Sequence, residues 1–155
     1  MANAQKLVKA FRANSMPVFL VRVTPSPDKK DALTPIIDGP PMNMQRPPDW
    51  AEILPELGPE PGDFIITKRQ WGAFTGTELD LQLRRRGIDT IVLCGISTSM
   101  GVESTARFAF EYGYQQIFVE DACSARAKAE HEHTMKSVFP RLGRIRTTAE
   151  VLAAL

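Results

Sequence analysis

The stretch DFIITKRQWGAFTGTELDLQLRRRGIDTIVLCG, residues 63–95, decides the fold. DFIIT (63–67) reads as a strand, TELDLQLRRRG (77–87) as a helix closed by Gly87, and IVLCG (91–95) as the next strand. Strand, helix and strand at this spacing argue for parallel pairing with a crossover helix on one face.

The same alternation continues on both sides. Upstream, Leu7, Val8 and Phe11 mark an amphipathic helix over 3–14, and Pro17 introduces the apolar strand VFLVRV (18–23). Downstream, a helix is expected over 102–112, a strand at QIFVED (116–121) and a helix over 128–139. RIRT (144–147) then reads as a short strand and AEVLAAL (149–155) as a closing helix. The expected architecture is α/β: a three-layer, doubly wound parallel sheet, with residues 1–155 as one domain. Residues 24–62 hold ten of the twelve prolines, including Pro40-Pro41 and Pro47-Pro48, which leaves room for short elements only, such as one helical turn near Trp50–Leu54. Ile36, Ile37, Met42, Met44, Trp50 and Leu54 give this insertion apolar surface to bury, so it is expected to act as a lid or binding loop.

Composition removes several function classes. Nineteen basic and eighteen acidic residues leave a net charge of +1, without the electrostatic footprint of a nucleic-acid or anionic-membrane binder. No apolar run approaches the roughly 20 residues of a membrane-spanning helix, and the first sixteen residues lack a secretory signal. Cys94 and Cys123 form no metal-binding pattern and are expected as buried thiols in a soluble, cytoplasmic protein.

Parallel geometry brings two polar strand exits to one crevice: TKRQWGAFTGT (67–77) and GISTSMGVESTAR (95–107). Lys68, beside Trp71 and Phe74, either holds a substrate carboxylate or lies over the rings as a surface lysine. Backbone N–H groups of the 97–101 turn are candidates to bind an oxyanion, while Ser97, Thr98 and Ser99 could equally cap the following helix. A serine nucleophile lacks its partners, because His131 and His133 lie two apart in a charged helix and are expected in solvent. Asp121 either orients a ligand or caps a turn, and Glu103 with Arg107 is expected as an exposed i, i+4 pair.

K-x-x-W-G-A-F-x-G-T at 68–77, G-I-S-T-S-M-G-V-E-S-T-A-R at 95–107 and the G-Y…V-E-D-A run at 113–122 resemble the isochorismatase-like hydrolases. This family includes isochorismatases, nicotinamidases and N-carbamoyl amidohydrolases. The resemblance implies a six-stranded parallel sheet, a homo-oligomer, a small-molecule substrate and no cofactor or metal. Its amidohydrolase branch uses an Asp, a Lys and a nucleophilic Cys. The resemblance carries the Lys onto Lys68 and the Cys position onto Gly101, where no thiol stands. It implies a cis peptide at Ile96-Ser97 and a substrate or oxyanion site of Ile96, Ser97, Met100, Gly101, Trp71 and Phe74.

The family's Asp ends a central strand that precedes the first long helix, and this chain begins with that helix. No residue here inherits the role. The resemblance therefore implies a gap in the sheet. Truncation or a misassigned start, direct pairing of the flanking strands, or a strand from another chain would each account for it. Truncation is expected first, since an open edge inside a buried sheet is costly. True isochorismatases resemble this chain in having Gly at the nucleophile position and cleave a vinyl ether by acid catalysis. Two functions are thus expected: a family hydrolase without thiol-dependent amidase activity and impaired by the absent Asp, or a ligand-binding or assembly protein on the same fold.

Overall fold

The computed structural model describes residues 1–39 and 47–155, so Pro40-Pro41, Met42 and Met44 lie outside the described residues. Helix α1 (Ala2–Ala13) leads into β1 (Phe19–Val23). After the proline-rich stretch come β2 (Phe64–Lys68), α2 (Leu79–Arg85) and β3 (Thr90–Ile96). One π-helical turn, Thr98–Val102, runs straight into α3 (Glu103–Glu111), which is followed by β4 (Gln115–Ser124). Helix α4 (Lys128–His133) continues through a π turn and a 3-10 turn as far as Arg141, before β5 (Arg144–Arg146) and α5 (Thr148–Ala153). Helix α5 is nucleated by a capping box in which Thr147 and Glu150 bond each other's backbone N–H. Trp50 begins no helix: Trp50 N–H to Pro47 and Glu52 N–H to Asp49 close turns only.

All strand pairs are parallel, as the alternation requires, yet they fall into two sheets: β1-β2 and β3-β4-β5. In the first, Phe19 lies opposite Phe64 and Val23 opposite Lys68. Among the described residues neither β1 nor β2 pairs with β3, so direct pairing of the strands flanking the expected gap does not occur. Burial records the consequence. Phe118 and Val119 of β4, with a strand on either side, are fully buried, whereas Ile91 to Cys94 of β3 are only partly so. Val21, Val23 and Ile65 remain about 40% exposed.

Side chains on one face join the two sheets. Ile66 of β2 and Ile91 of β3 pack against Ala73, Phe74, Leu79, Leu83, Ala109 and Tyr114, contributed by α2, α3 and their connections. On the other face α1 lies over β3 and β4, with Leu7 against Val119 and Val151. Arg12 then fastens α1 to the end of the proline-rich stretch, donating to the carbonyls of Leu57 and Gly58 and to the buried carboxylate of Asp63. The third cluster, Val102, Ala106, Phe118, Met135 and Phe139, seats the 134–141 helical run on the sheet. Among the described residues no helix is long and apolar enough to cross a membrane.

Two outcomes test this arrangement. By hydrogen exchange, β3 amides that face away from β4 should exchange faster than those of β4, and equal protection along both strands would contradict the open edge. Gly143→Ala would place a Cβ 2.4 Å from the Gln116 carbonyl oxygen. It should cost about 1–3 kcal/mol in urea denaturation, because backbone must move to accept it.

Candidate active site

Parallel pairing sends β2 and β3 out at the same edge, and the site is built from these two exits. β2 ends on Lys68, whose ammonium donates to the Trp71 carbonyl across a tight turn. β3 ends on Ile96, and the Ile96–Ser97 peptide is cis, at the position the family resemblance implies. The chain then enters the π turn containing Met100 and Gly101.

Gly101 and Lys68 face each other. A Cβ on Gly101 would lie 3.2 Å from Lys68 Nζ, 3.6 Å from the Trp71 carbonyl oxygen and 3.9 Å from that of Ile96. A side chain at 101 would therefore press on the Lys68 ammonium, with two carbonyl groups beside it. Burial pushes the Lys68 pKa below the ordinary lysine value. No carboxylate among the described residues forms an ion pair with Lys68.

Thr105, not singled out in the sequence, holds these parts in register. Its hydroxyl donates to the Gly101 carbonyl at 2.7 Å, four residues back along the helix, and accepts from Ala73 N–H at 3.1 Å. One buried side chain thus ties the β2 exit to the β3 exit. The available signal was a threonine on the otherwise apolar face of α3, the position from which a hydroxyl back-bonds its own helix.

The remaining candidates divide. Trp71 is about half exposed at the mouth, Ile96 stands 80% exposed beside it, and Met100 is partly buried in the turn. Phe74 does not line the crevice. It is 4% exposed and packs in the core, its ring 5.5 and 5.6 Å from those of Tyr112 and Tyr114, because that apolar surface bridges the two sheets. The turn hydroxyls do not cap their own helix. Ser97 Oγ is buried with no hydrogen-bond partner among the described residues. Thr98, fully buried, meets His131 Nδ1 at 2.9 Å, and Ser99 donates to Glu130 at 3.2 Å.

His131 was expected in solvent and is not there. β4 runs three residues further than expected, to Ser124, and delivers the start of α4 over the turn. The Thr98–His131 pair is no hydroxyl nucleophile with its base, since Thr98 has no surface for a substrate to reach. His133 is exposed, as expected. Asp121 takes the capping role: its carboxylate accepts from Thr148 N–H and hydroxyl, and from Asn3. Glu103 and Arg107 form the expected pair at 2.9 Å, with Thr134 also donating to Glu103. Both cysteines are free. Burial raises the Cys94 pKa and, with smaller contributions from nearby Cys94, Asp121 and Glu120, pushes that of Cys123 up to about 12. Among the described residues no group of His, Cys, Asp and Glu could hold a metal ion.

Comparison with known proteins supplies the family. The model of the isochorismatase domain matches residues 1–150. The chain belongs to the isochorismatase family. It is 57% identical over 152 residues to an uncharacterised family member of Bacillus subtilis, covering 97% of this chain and 80% of that relative. A family protein of Burkholderia thailandensis superposes with a TM-score of 0.94 at 47% identity, over 99% of this chain and 81% of its own. An N-carbamoylsarcosine amidase of Thermoplasma acidophilum superposes with a TM-score of 0.76 at 28% identity, over 95% and 81%.

The placement of Gly101 is open to a chemical test. Iodoacetamide should modify the native chain little at neutral pH, since both thiols are partly buried with raised pKa values, while Gly101→Cys should take up one label. The nearby ammonium favours that thiolate. Mass spectrometry of tryptic fragments reads the site, and an unlabelled Cys at 101 would overturn the crevice.

Proposed function

We propose that this protein is a small-molecule hydrolase of the isochorismatase family that works without a thiol. The observation that carries the reading is Gly101 facing Lys68 where a thiol would stand, with both native thiols elsewhere and only partly exposed. In this reading Lys68 holds an anionic group of the substrate, the 97–101 turn presents backbone N–H groups to it, and Trp71, Ile96 and Met100 shape the mouth. Acid-catalysed cleavage of a vinyl ether, the chemistry of the family's thiol-free members, needs a proton donor next to the substrate. No described carboxylate pairs with Lys68, so the chain as it stands should turn over slowly.

That same unpaired ammonium favours a second reading, in which the crevice retains an anionic or aromatic ligand without changing it. In both, the 155 residues act as one cytoplasmic domain and the described parts of the proline-rich stretch, 24–39 and 47–62, close over the site. Arg69, next to Lys68, supports the closing role by holding Asp31 at 2.9 Å and the Thr24 carbonyl at 2.7 Å. The half-exposed Val21, Val23 and Ile65 support self-association.

The assay is incubation with a panel of carboxylates and amides, including isochorismate, nicotinamide and N-carbamoyl amines, followed by mass spectrometry for products. Slow product formation lost in Lys68→Ala supports the hydrolase, and ligand retention without product, also lost in Lys68→Ala, supports the binding protein. Amide turnover abolished by iodoacetamide would refute a thiol-free site.

A further inference from the structure

A cleft that shares no lining residue with the Lys68 site lies between α3 and the 128–141 helical run. It has a volume of about 320 Å³ and is lined by Arg107, His133, Ser137, Val138, Arg141 and Leu142. That volume is at the lower end of the roughly 300–1,000 Å³ of small-molecule sites. Arg107 lies six residues beyond Gly101 on one continuous helix, about 9 Å along its axis and some 240° around it. Gly101 and Arg107 therefore lie on different sides of the helix.

The lining is cationic, and one of its two guanidinium groups is held in place. Arg107 is fixed by its Nε and Nη2 donating to one oxygen of Glu103, at 3.1 and 2.9 Å, while Thr134 donates to the other at 2.9 Å. Thr134 is 1% exposed, so the carboxylate that orients Arg107 is itself anchored from the core. Arg107 Nη1 makes no hydrogen bond among the described residues. His133, Ser137 and Arg141 recur every four residues along the helical run. Among the described residues their side chains make no hydrogen bond or ion pair.

Among the described residues no carboxylate lines the cleft, and Glu103 meets only the Nε and Nη2 side of Arg107. The neighbouring Glu132 is spent on Lys128 and Lys136, at 3.5 and 3.6 Å. Val138 and Leu142 form an apolar floor, continuous with the cluster around Phe118 and Phe139. Two guanidinium groups, an imidazole and a hydroxyl over an apolar floor match a doubly charged oxyanion on a small apolar body. Arginine suits this because its planar fork bonds two oxygens at once. We propose that the cleft binds a small organic phosphate monoester.

Titration of the ¹⁵N-labelled full chain with phenyl phosphate, inorganic phosphate and benzoate, followed by amide shifts, tests this. Phenyl phosphate should produce saturable shifts at residue 107 and across 133–142, more tightly than inorganic phosphate, which lacks a body for Val138 and Leu142, and than benzoate, which carries one charge. Arg141→Gln, at an exposed position, should weaken phenyl phosphate binding about tenfold or more, and Ser137→Ala should weaken it less. Lys68→Gln should leave it unchanged. No saturable shift in this region, benzoate binding as tightly as phenyl phosphate, or unaltered affinity in Arg141→Gln would overturn the proposal. Loss of binding in Lys68→Gln alone would assign the ligand to the other crevice and overturn it equally.

Discussion

The buried hydroxyl of Thr105 is the contact on which the geometry of the site rests. Its two hydrogen bonds, to the Gly101 carbonyl and from Ala73 N–H, cross between parts of the molecule that share no strand pairing. In a continuous sheet, ladder hydrogen bonds would fix the spacing of the β2 and β3 exits. Here that spacing depends on side chains: Thr105 at the crevice, and below it the core formed by Ile66, Phe74, Leu83, Ala109 and Tyr114. A buried hydroxyl whose two partners belong to different segments is costly to disrupt, because both backbone groups then lose a partner away from water.

The polar turn above it shows a division of labour that sequence order conceals. Its hydroxyl residues are adjacent, yet they face three environments. Thr98 and Ser99 fasten the turn to α4 through His131 and Glu130, while Ser97 Oγ is buried beside the cis peptide without a partner among the described residues. What is left for a ligand is mostly backbone, together with Lys68. Such a site recognises charge and shape through groups that mutation of neighbouring side chains does not remove.

The order of elements was legible in the sequence because strand and helix periodicities alternate cleanly from residue 63 onward, and parallel pairing follows from that alternation. Lys68 and Gly101 could be placed together for the same reason: both lie just beyond the ends of parallel strands. The partners of the turn could not. His131 sits in a run of alternating charge, AKAEHEH, whose pattern describes a solvated helix equally well, and only the path of β4 beyond Asp121 brings it over Thr98. Phe74 was misplaced because an aromatic ring next to a site lysine has the same local signature whether it faces the crevice or the core. The core won, since Ile66 and Ile91 need a common cover. The gap between the sheets was foreseen from the family pattern alone, as no local property of β1 or β3 marks a missing neighbour.

The condition of the two cysteines has a consequence for how this protein meets an oxidising environment. A site that relies on a reactive thiolate is switched off when peroxide converts that sulfur to a sulfenic acid. The site here holds an amine, two carbonyl groups and a glycine, while Cys94 and Cys123 are partly buried with raised pKa values. On the proposed reading, oxidants that attack a catalytic thiolate find no sulfhydryl beside Lys68.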